Sequence, residues 1–405
     1  MSAARIILKP HEDERIASGH PWVFDNEIAE VIGAAEAGDA VDVESHNKHY
    51  VGRGFYNPHS KIRVRVVSRS KDGIDSGFWK RRIRQALEFR SAFLDVRRDS
   101  FRLLFGEADR CPGLILDLYH DYVEPDPSAS PRRIAVVQLL SYGVDRRREE
   151  ILGAIRETLD PAFIVERSDA PVRALEGLEA EVVASDPGSP DSILIRENGL
   201  WLRAKLLSGQ KTGAYHDQRE NRAAAAPLAK DKAVLDAFCN SGGFGLCALD
   251  AGAAHVDFVD SSEEALASAR ENAELNGFSG RYDIVKSDVF DFLKDAERSK
   301  RQYGLAIVDP PAFAKTRDAL EGAYRGYKEI NYRAMRLLPR GGWLASCSCS
   351  QHFRLERFLD MLRDASRDAE RSLRMSEIRF QAKDHPILAG YPESLYLKCV
   401  IGQAL

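Results

Sequence analysis

Two thiols stand two residues apart in SCSCSQH, Ser346 to His352, directly after the apolar run GGWLA. A cysteine can be core filler, a metal ligand or a covalent nucleophile, and the thiolate form is what binds metals and attacks electrophiles. A metal site built with His352 lacks a second ligand pair at suitable spacing. If the run is a strand, alternation puts Cys347 and Cys349 on the same face, so direction does not choose between them. Position does. Cys349 lies nearer the carboxyl end, the edge at which open α/β sheets bind ligands. If one of them is a nucleophile, Cys349 is the expected one and Cys347 a small packed neighbour; both as core thiols is the alternative.

Four carboxylates recur at comparable places. DAFCNSGGFG, Asp236 to Gly245, is a glycine-rich turn after a strand. Gly242, Gly243 and Gly245 let backbone approach a ligand closely, and the helix that follows offers N–H groups to an anion. The spacing is not the GxGxxG of dinucleotide binders. HVDFVD ends on Asp260, where an acid holds ribose hydroxyls. KSDVFDF supplies Asp288, and VDPPAF supplies Asp309, Pro310 and Pro311. Asp260 and Asp288 are also candidate helix caps. As a set they predict an adenosine ligand with a charged tail. Upstream, GQKT lacks the glycine immediately before lysine that a P-loop needs, because Gln210 intervenes. That excludes a nucleoside triphosphatase.

The elements that must position these groups alternate. AVLDAF, HVDFVD, YDIVKSD, LAIVDPP and GWLASCS read as strands. EEALASARENAELNG (closed by Gly277), VFDFLKDA and GYKEINYRAMRLL read as helices. This βαβ rhythm predicts a parallel, doubly wound sheet. RMSEIRFQ and SLYLKCVIG add an antiparallel hairpin at its edge. SDPGSPDS, Ser185 to Ser192, reads as a linker or tight loop. Before it lie two more parts. Residues 1 to about 70 are short strands with turns. There KIRVRVV puts Lys61, Arg63 and Arg65 on one face and Ile62, Val64 and Val66 on the other. The basic face is either solvated or a phosphate contact. Next comes a helix with Trp79, Ile83, Ala86, Leu87 and Leu94 in one stripe and many Lys and Arg elsewhere, then the strands GLILDLYHDYV and RRIAVVQLLS around the loop EPDPSASP, and a helix followed by the strand FIVERSD.

The runs GQKTGAYHDQR, DAFCNSGGFG, VDSSEEAL, SDVFDFL, VDPPAFAK, SCS and DHP…YPE…YLK together resemble the class I S-adenosylmethionine-dependent 23S ribosomal RNA (cytosine-5-)-methyltransferases of the RlmI type. The likeness runs along nearly the whole chain. LKPHEDERIASGHPWVFDNEI resembles the family's PUA domain, and GEADRCPGLILDLYHDYV and VERSDAPVRALEGL resemble its central domain. The resemblance implies an α/β fold class: a Rossmann-like doubly wound methyltransferase domain over 191–405, an N-terminal β-rich PUA-like RNA-binding domain over 1–72 and a central α+β domain over 73–190. It implies S-adenosylmethionine as cofactor, bound by Gln218, Asp236, Phe238, Asn240, Gly242, Gly243, Asp260, Ser261, Asp288, Val289 and Asp309. Within that set Gly242 and Gly243 lie under the methionine part, Asp260 binds ribose, Asp288 the adenine edge, and Gln218 stands near the methionine tail. The chain departs from the family at Cys347, where a bulky apolar residue is usual, and at EPDPSASPRR, which looks like an insertion.

What the resemblance implies for chemistry returns to the thiols. Carbon 5 of cytosine is a poor nucleophile until a thiolate adds to carbon 6 and breaks the ring's conjugation. The expected product is 5-methylcytosine in 23S ribosomal RNA, naked or in a large-subunit precursor, with Cys349 and Asp309 catalytic. Asp309 would accept from the cytosine amine. Pro310, Pro311 and Phe313 are the candidate base contacts. Lys61, Arg63, Arg65 and the basic positions of 80–98 are the candidate RNA contacts, whereas His20, Pro21 and Trp22 read as core and turn residues. The rivals are uracil-C5 methylation, exocyclic-amine methylation and a non-catalytic RNA-binding assembly factor.

Bulk properties set the limits. The chain has 405 residues, enough for two or three domains. Its net charge of −4 gives no global pull on nucleic acid, so RNA contact needs a local basic surface. Six cysteines without a CxxC pair fit a reducing compartment, the cytoplasm. The N-terminus turns acidic before any long apolar run, unlike a secretory signal, and no apolar window is long enough to span a membrane. A homodimer is compatible with all of this.

Overall fold

Strands with apolar runs on both faces, such as LAIV and WLASCS, must be covered from both sides. In the computed structural model, which describes residues 4–71, 73–209, 212–314 and 316–405, they are. Gln210 and Lys211 of the GQKT run, and Lys315, lie outside the described residues. The chain divides into two compact units. One comprises the chain up to Ile195, Ala204–His216 and Lys383–Ser394; the other comprises Arg196–Arg203, Asp217–Ala382 and Leu395–Leu405.

The second unit is built on seven strands: β1 (Ala233–Ala237), β2 (His255–Asp260), β3 (Tyr282–Lys286), β4 (Leu305–Val308), β5 (Trp343–Ser348), β6 (Leu373–Arg379) and β7 (Lys398–Ala404). Their order is β3-β2-β1-β4-β5-β7-β6. β1 to β5 are parallel, and β7 runs antiparallel between β5 and β6. Five helices connect them: α1 (Gly243–Asp250), α2 (Glu263–Leu275), α3 (Val289–Arg298), α4 (Leu320–Arg336) and α5 (Leu355–Asp368). Phe292, Tyr327, Ile330, Phe358 and Met361 of α3, α4 and α5 share one core with β1, β4 and β5. Phe244, Leu246, Leu266 and Ala269 of α1 and α2 share another. The sheet is therefore wound on both faces. The strand order reverses between β1 and β4, which opens a crevice at their carboxyl ends.

Helix α5 has no counterpart among the helices expected from the sequence. Phe358, Met361, Leu362 and Ala365 fall at helical spacing and are all fully buried. The turn Asn198-Gly199 between the strands Ser192–Glu197 and Leu200–Lys205 was also missed, although both residues are left-handed and NG is a strong hairpin signal.

The first unit holds a six-stranded sheet between Arg5 and Ser68 and a five-stranded sheet between Phe101 and Ala184, with the helices Ser76–Ser91 and Arg148–Leu159. Here the basic stripe needs correction. Lys61 is exposed, but Arg63 is half-buried and donates to the Pro58 carbonyl. Arg65 is only 7% exposed, and its guanidinium donates to Glu107 at 3.0 Å and Glu176 at 2.8 Å. Burial would raise the Glu176 carboxyl, yet Arg65, Ser60 and Asn57 together hold it below its ordinary range. Arg65 is thus the centre of a buried ion-pair network and no phosphate contact. Its strand pairs antiparallel with Trp22–Phe24, and Trp22 stands opposite Arg65. His20 is buried, and the Trp22 indole donates to Glu107 at 2.9 Å, as suits structural residues.

Candidate active site

The chain leaves β1 through a turn in which Phe238 (φ 61°), Asn240 (φ 49°) and Gly242 (φ 83°) are all left-handed. Outside glycine such geometry costs on the order of 1 kcal/mol or more per residue, so something must hold it. Two carboxylates do. Asp236 accepts the Gly245 N–H at 2.8 Å. Asp260, at the end of β2, accepts the Asn240 N–H at 3.0 Å through Oδ2 and the Ser262 N–H at 2.9 Å through Oδ1. The glycines serve the protein's own packing on their Cβ side. A Cβ on Gly243 would stand 2.6 Å from the Arg222 Nε, and one on Gly245 would stand 2.3 Å from the Phe258 ring. Only Gly242 requires glycine for its φ.

Around this turn negative charge accumulates. Asp236 is buried, and its carboxyl is pushed up to about 7 by burial first, then by Asp309 and Asp260; the Gly245 N–H and Arg222 oppose the shift. Asp309 follows β4, and its Oδ1 accepts from the Gln218 amide at 2.9 Å. Gln218 is itself buried, with its Oε1 accepting from Asn221 at 2.7 Å, at the start of the helix Arg219–Ala225. The crevice thus brings together Asp236, Asp260, Asp309 and Gln218. Asp288 is exposed at the start of α3, where Oδ1 caps the Phe290 N–H at 2.8 Å and the Asp291 N–H at 3.3 Å. Val289 is a core residue, and Ser261 is exposed beyond β2.

β5 ends at Ser348, so the expected alternation does not extend to Cys349. Cys347 is fully buried opposite Cys399 on β7, and burial pushes its thiol well above the ordinary range. Cys349 lies one residue past the strand, half-buried, with Sγ 4.0 Å from the Pro310 carbonyl oxygen. The two thiols of one short motif therefore occupy different environments. His352 is exposed. Pro310 is buried and Pro311 exposed. The Phe313 ring is half-buried, 4.7 Å from the Tyr327 ring, 6.1 Å from Phe290 and 6.5 Å from Phe238.

Three further residues hold the thiol's loop. The Ser350 hydroxyl accepts the Ala314 N–H at 3.1 Å and lies 2.8 Å from the Tyr327 hydroxyl, tying the SCS loop to the loop after β4. Lys398, the first residue of β7, donates to the Ser350 carbonyl at 2.7 Å and to the Tyr396 carbonyl at 2.8 Å. Its ammonium is pushed down to about 8 by burial, against the pull of negative charge at Cys349. The signal for Lys398 was present, since a lysine inside the apolar run LYLKCVIG has no solvated face to occupy.

A ribose-bearing ligand with a sulfonium and an ammonium suits this donor set: three mutually repelling carboxylates beside a helix-entry turn gain from a cation. The matches to known proteins agree. Residues 6–69 match the model of a PUA-like domain, and residues 176–386 match that of an S-adenosylmethionine-dependent methyltransferase. The ribosomal RNA large subunit methyltransferase I of Pseudoalteromonas atlantica is 38% identical over 408 residues, covering 100% of both chains. That of Alteromonas mediterranea is 39% identical over 402 residues, covering 98% of each. Among solved structures, an S-adenosylmethionine-dependent methyltransferase from Streptococcus mutans has a TM-score of 0.81 at 18% identity, covering 98% of this chain and 99% of that one. A methyltransferase complexed with SAH also has a TM-score of 0.81, at 19% identity and the same coverage. These two show the shared fold. With full-length relatives named ribosomal RNA large subunit methyltransferase I, the chain belongs to the S-adenosylmethionine-dependent methyltransferase family and takes S-adenosylmethionine as its cofactor.

Proposed function

We propose that this methyltransferase forms 5-methylcytosine in large-subunit ribosomal RNA through a covalent bond between Cys349 and carbon 6 of the base. The observation that carries this reading is the contrast among the thiols. Five of the six cysteines are buried; Cys349 alone is half-buried, at the rim where Asp309 and Pro310 leave β4. The names of the full-length relatives support the RNA substrate.

The target base must leave its stack before a thiolate can reach carbon 6. Cys349 Sγ adds to carbon 6, and the ring electrons shift to carbon 5. When bound, S-adenosylmethionine would supply an electrophilic methyl group for that carbon, and its sulfur would keep the electron pair of the broken sulfur–methyl bond. A base then removes the carbon 5 proton, the double bond re-forms, and the thiolate leaves with its electron pair. Asp309, oriented by Gln218, accepts from the exocyclic amine, which favours cytosine over uracil. Pro310, Pro311 and Phe313 flank the base. Asp236, Asp260 and Asp309 balance the cofactor's positive charge, and Asp260 takes the ribose. Asp288, whose Oδ1 serves the helix cap, offers its second oxygen to the adenine edge. Phe238, Asn240, Gly242, Gly243, Ser261 and Val289 complete the cofactor's surroundings. On the first unit, the exposed Lys61, Arg84, Arg97 and Arg98 and a cavity of about 290 Å³ with Arg69, Arg82 and Arg110 in its lining are the RNA-backbone contacts.

The test is methyl transfer from labelled cofactor to large-subunit RNA transcripts, followed by nucleoside analysis. The label is expected in 5-methylcytidine. Cys349→Ala is expected to abolish transfer and Cys347→Ala to keep most of it. Label in 5-methyluridine or in an N-methylated nucleoside, or equal losses in both variants, would contradict the proposal.

A further inference from the structure

We propose that Lys398 is the positioning residue that keeps Cys349 in its thiolate form, its ammonium serving as the fixed counter-charge of the nucleophile. The inference rests on the reading of Cys349 as nucleophile and adds the partner that makes that sulfur reactive.

A lysine that is 2% exposed needs a reason, because burying an ammonium is costly without a compensating charge. Lys398 stands on β7, directly opposite Ser348, the last residue of β5. Its side chain therefore reaches the point at which Cys349 leaves the strand. Two of its three N–H bonds go to the carbonyls of Ser350 and Tyr396, both neutral acceptors. Among the described residues Lys398 makes no ion pair with a carboxylate. Cys349, one residue before the Ser350 carbonyl that Lys398 holds, is the acidic group whose charge would act on the ammonium.

Two described groups near the thiol, Tyr327 and Asp309, do not supply its counter-charge. The Tyr327 hydroxyl from α4 is held neutral, pushed up by burial despite hydrogen bonds to Ser348 and Ser350. Asp309 precedes Pro310, whose carbonyl oxygen is 4.0 Å from the sulfur, and as an anion it disfavours the thiolate. The proposal requires the ammonium, fixed by two carbonyls that carry no net charge, to outweigh that opposition. The proton lost from the thiol passes to water before the addition step, and Lys398 keeps its own.

The experiment is alkylation of Cys349 by iodoacetamide across pH 5.5–10, in the full chain without RNA, with the modified cysteine mapped by peptide mass. The wild-type midpoint is expected below the ordinary thiol value of about 8.5. Lys398→Gln is expected to raise the midpoint by about one pH unit or more, which slows alkylation at pH 7 roughly tenfold, since each unit changes the thiolate fraction tenfold. Lys398→Arg keeps the charge and is expected to restore most of the wild-type profile. An unchanged midpoint in Lys398→Gln together with reduced methyl transfer would make Lys398 a carbonyl clamp and overturn the proposal. A wild-type midpoint at or above the ordinary value overturns it whatever the variants do, including a variant that fails to fold. Failure of the nucleophile reading shows separately, as methyl transfer that survives Cys349→Ala.

Discussion

At the scale of single residues, one step past a strand end separates two chemically identical thiols. Cys347 is sealed in the core against Cys399, and Cys349 is half-open at the rim. The preference for Cys349 could be argued from its place in the motif. The proposed counter-charge could not, because Lys398 is 49 residues away in sequence and is brought to the end of β5 only by the β5–β7 pairing. Asp236 offers a second test at this scale. Its folded-state carboxyl titrates near 7, against an ordinary value of 3.8, so between those values the folded chain holds a proton that the unfolded chain has lost. Stability from this group is therefore present at low pH and falls as pH rises through about 7. Thermal melts of the cofactor-free protein at pH 5.5 and pH 8 are expected to show a smaller drop for Asp236→Asn than for the wild type. Equal drops would contradict the assignment.

At the scale of elements, the strand-to-helix transitions carry the site. The glycine turn after β1 was recognised in the sequence, but a packing role of its glycines was not: Gly243 and Gly245 admit Arg222 and Phe258, side chains whose approach no local pattern announces. Asp288 shows the opposite case, a carboxylate for which capping and ligand binding were both open. The cap is made, and its two N–H partners account for one oxygen. Asp288→Asn is expected to keep the cap and the stability while weakening cofactor binding, whereas Asp288→Ala is expected to lose about 1 kcal/mol of stability as well. Urea denaturation paired with cofactor titration separates the two effects; unaltered cofactor affinity in both variants would leave Asp288 as a cap alone. Helix α5 escaped notice because its buried Phe358, Met361, Leu362 and Ala365 are embedded in a dense run of charges.

At the scale of the whole molecule, a chain of net charge −4 can attract a polyanion only through local surface. Of the stripe expected at 61–65, Lys61 remains exposed, and Arg65 has been absorbed into a buried network with Glu107 and Glu176. A strand's period tells which residues share a face, but not whether that face meets water. Arg84, Arg97 and Arg98 are exposed and remain basic candidates. Replacing Lys61, Arg84, Arg97 and Arg98 together by Ala is expected to weaken RNA binding and flatten its dependence on salt, with cofactor affinity unchanged. Salt titrations of RNA affinity check this, and an unaltered slope would move the RNA surface elsewhere. The alternation of strands and helices in the second half of the chain made the doubly wound sheet legible, because both of its faces are buried and its strands read as apolar runs. The division into units was less so. Lys383–Ser394 belongs with the first unit although it lies near the end of the sequence, between β6 and β7.

The most direct measurement uses large-subunit RNA transcripts carrying 5-fluorocytosine, incubated with the protein and S-adenosylmethionine. Fluorine at carbon 5 cannot leave as a proton does, so the sulfur–carbon bond is expected to persist as a protein–RNA adduct whose peptide contains Cys349 as the bonded residue. An adduct on another cysteine, or unmodified cysteines in a preparation that methylates ordinary RNA, would contradict covalent catalysis by Cys349.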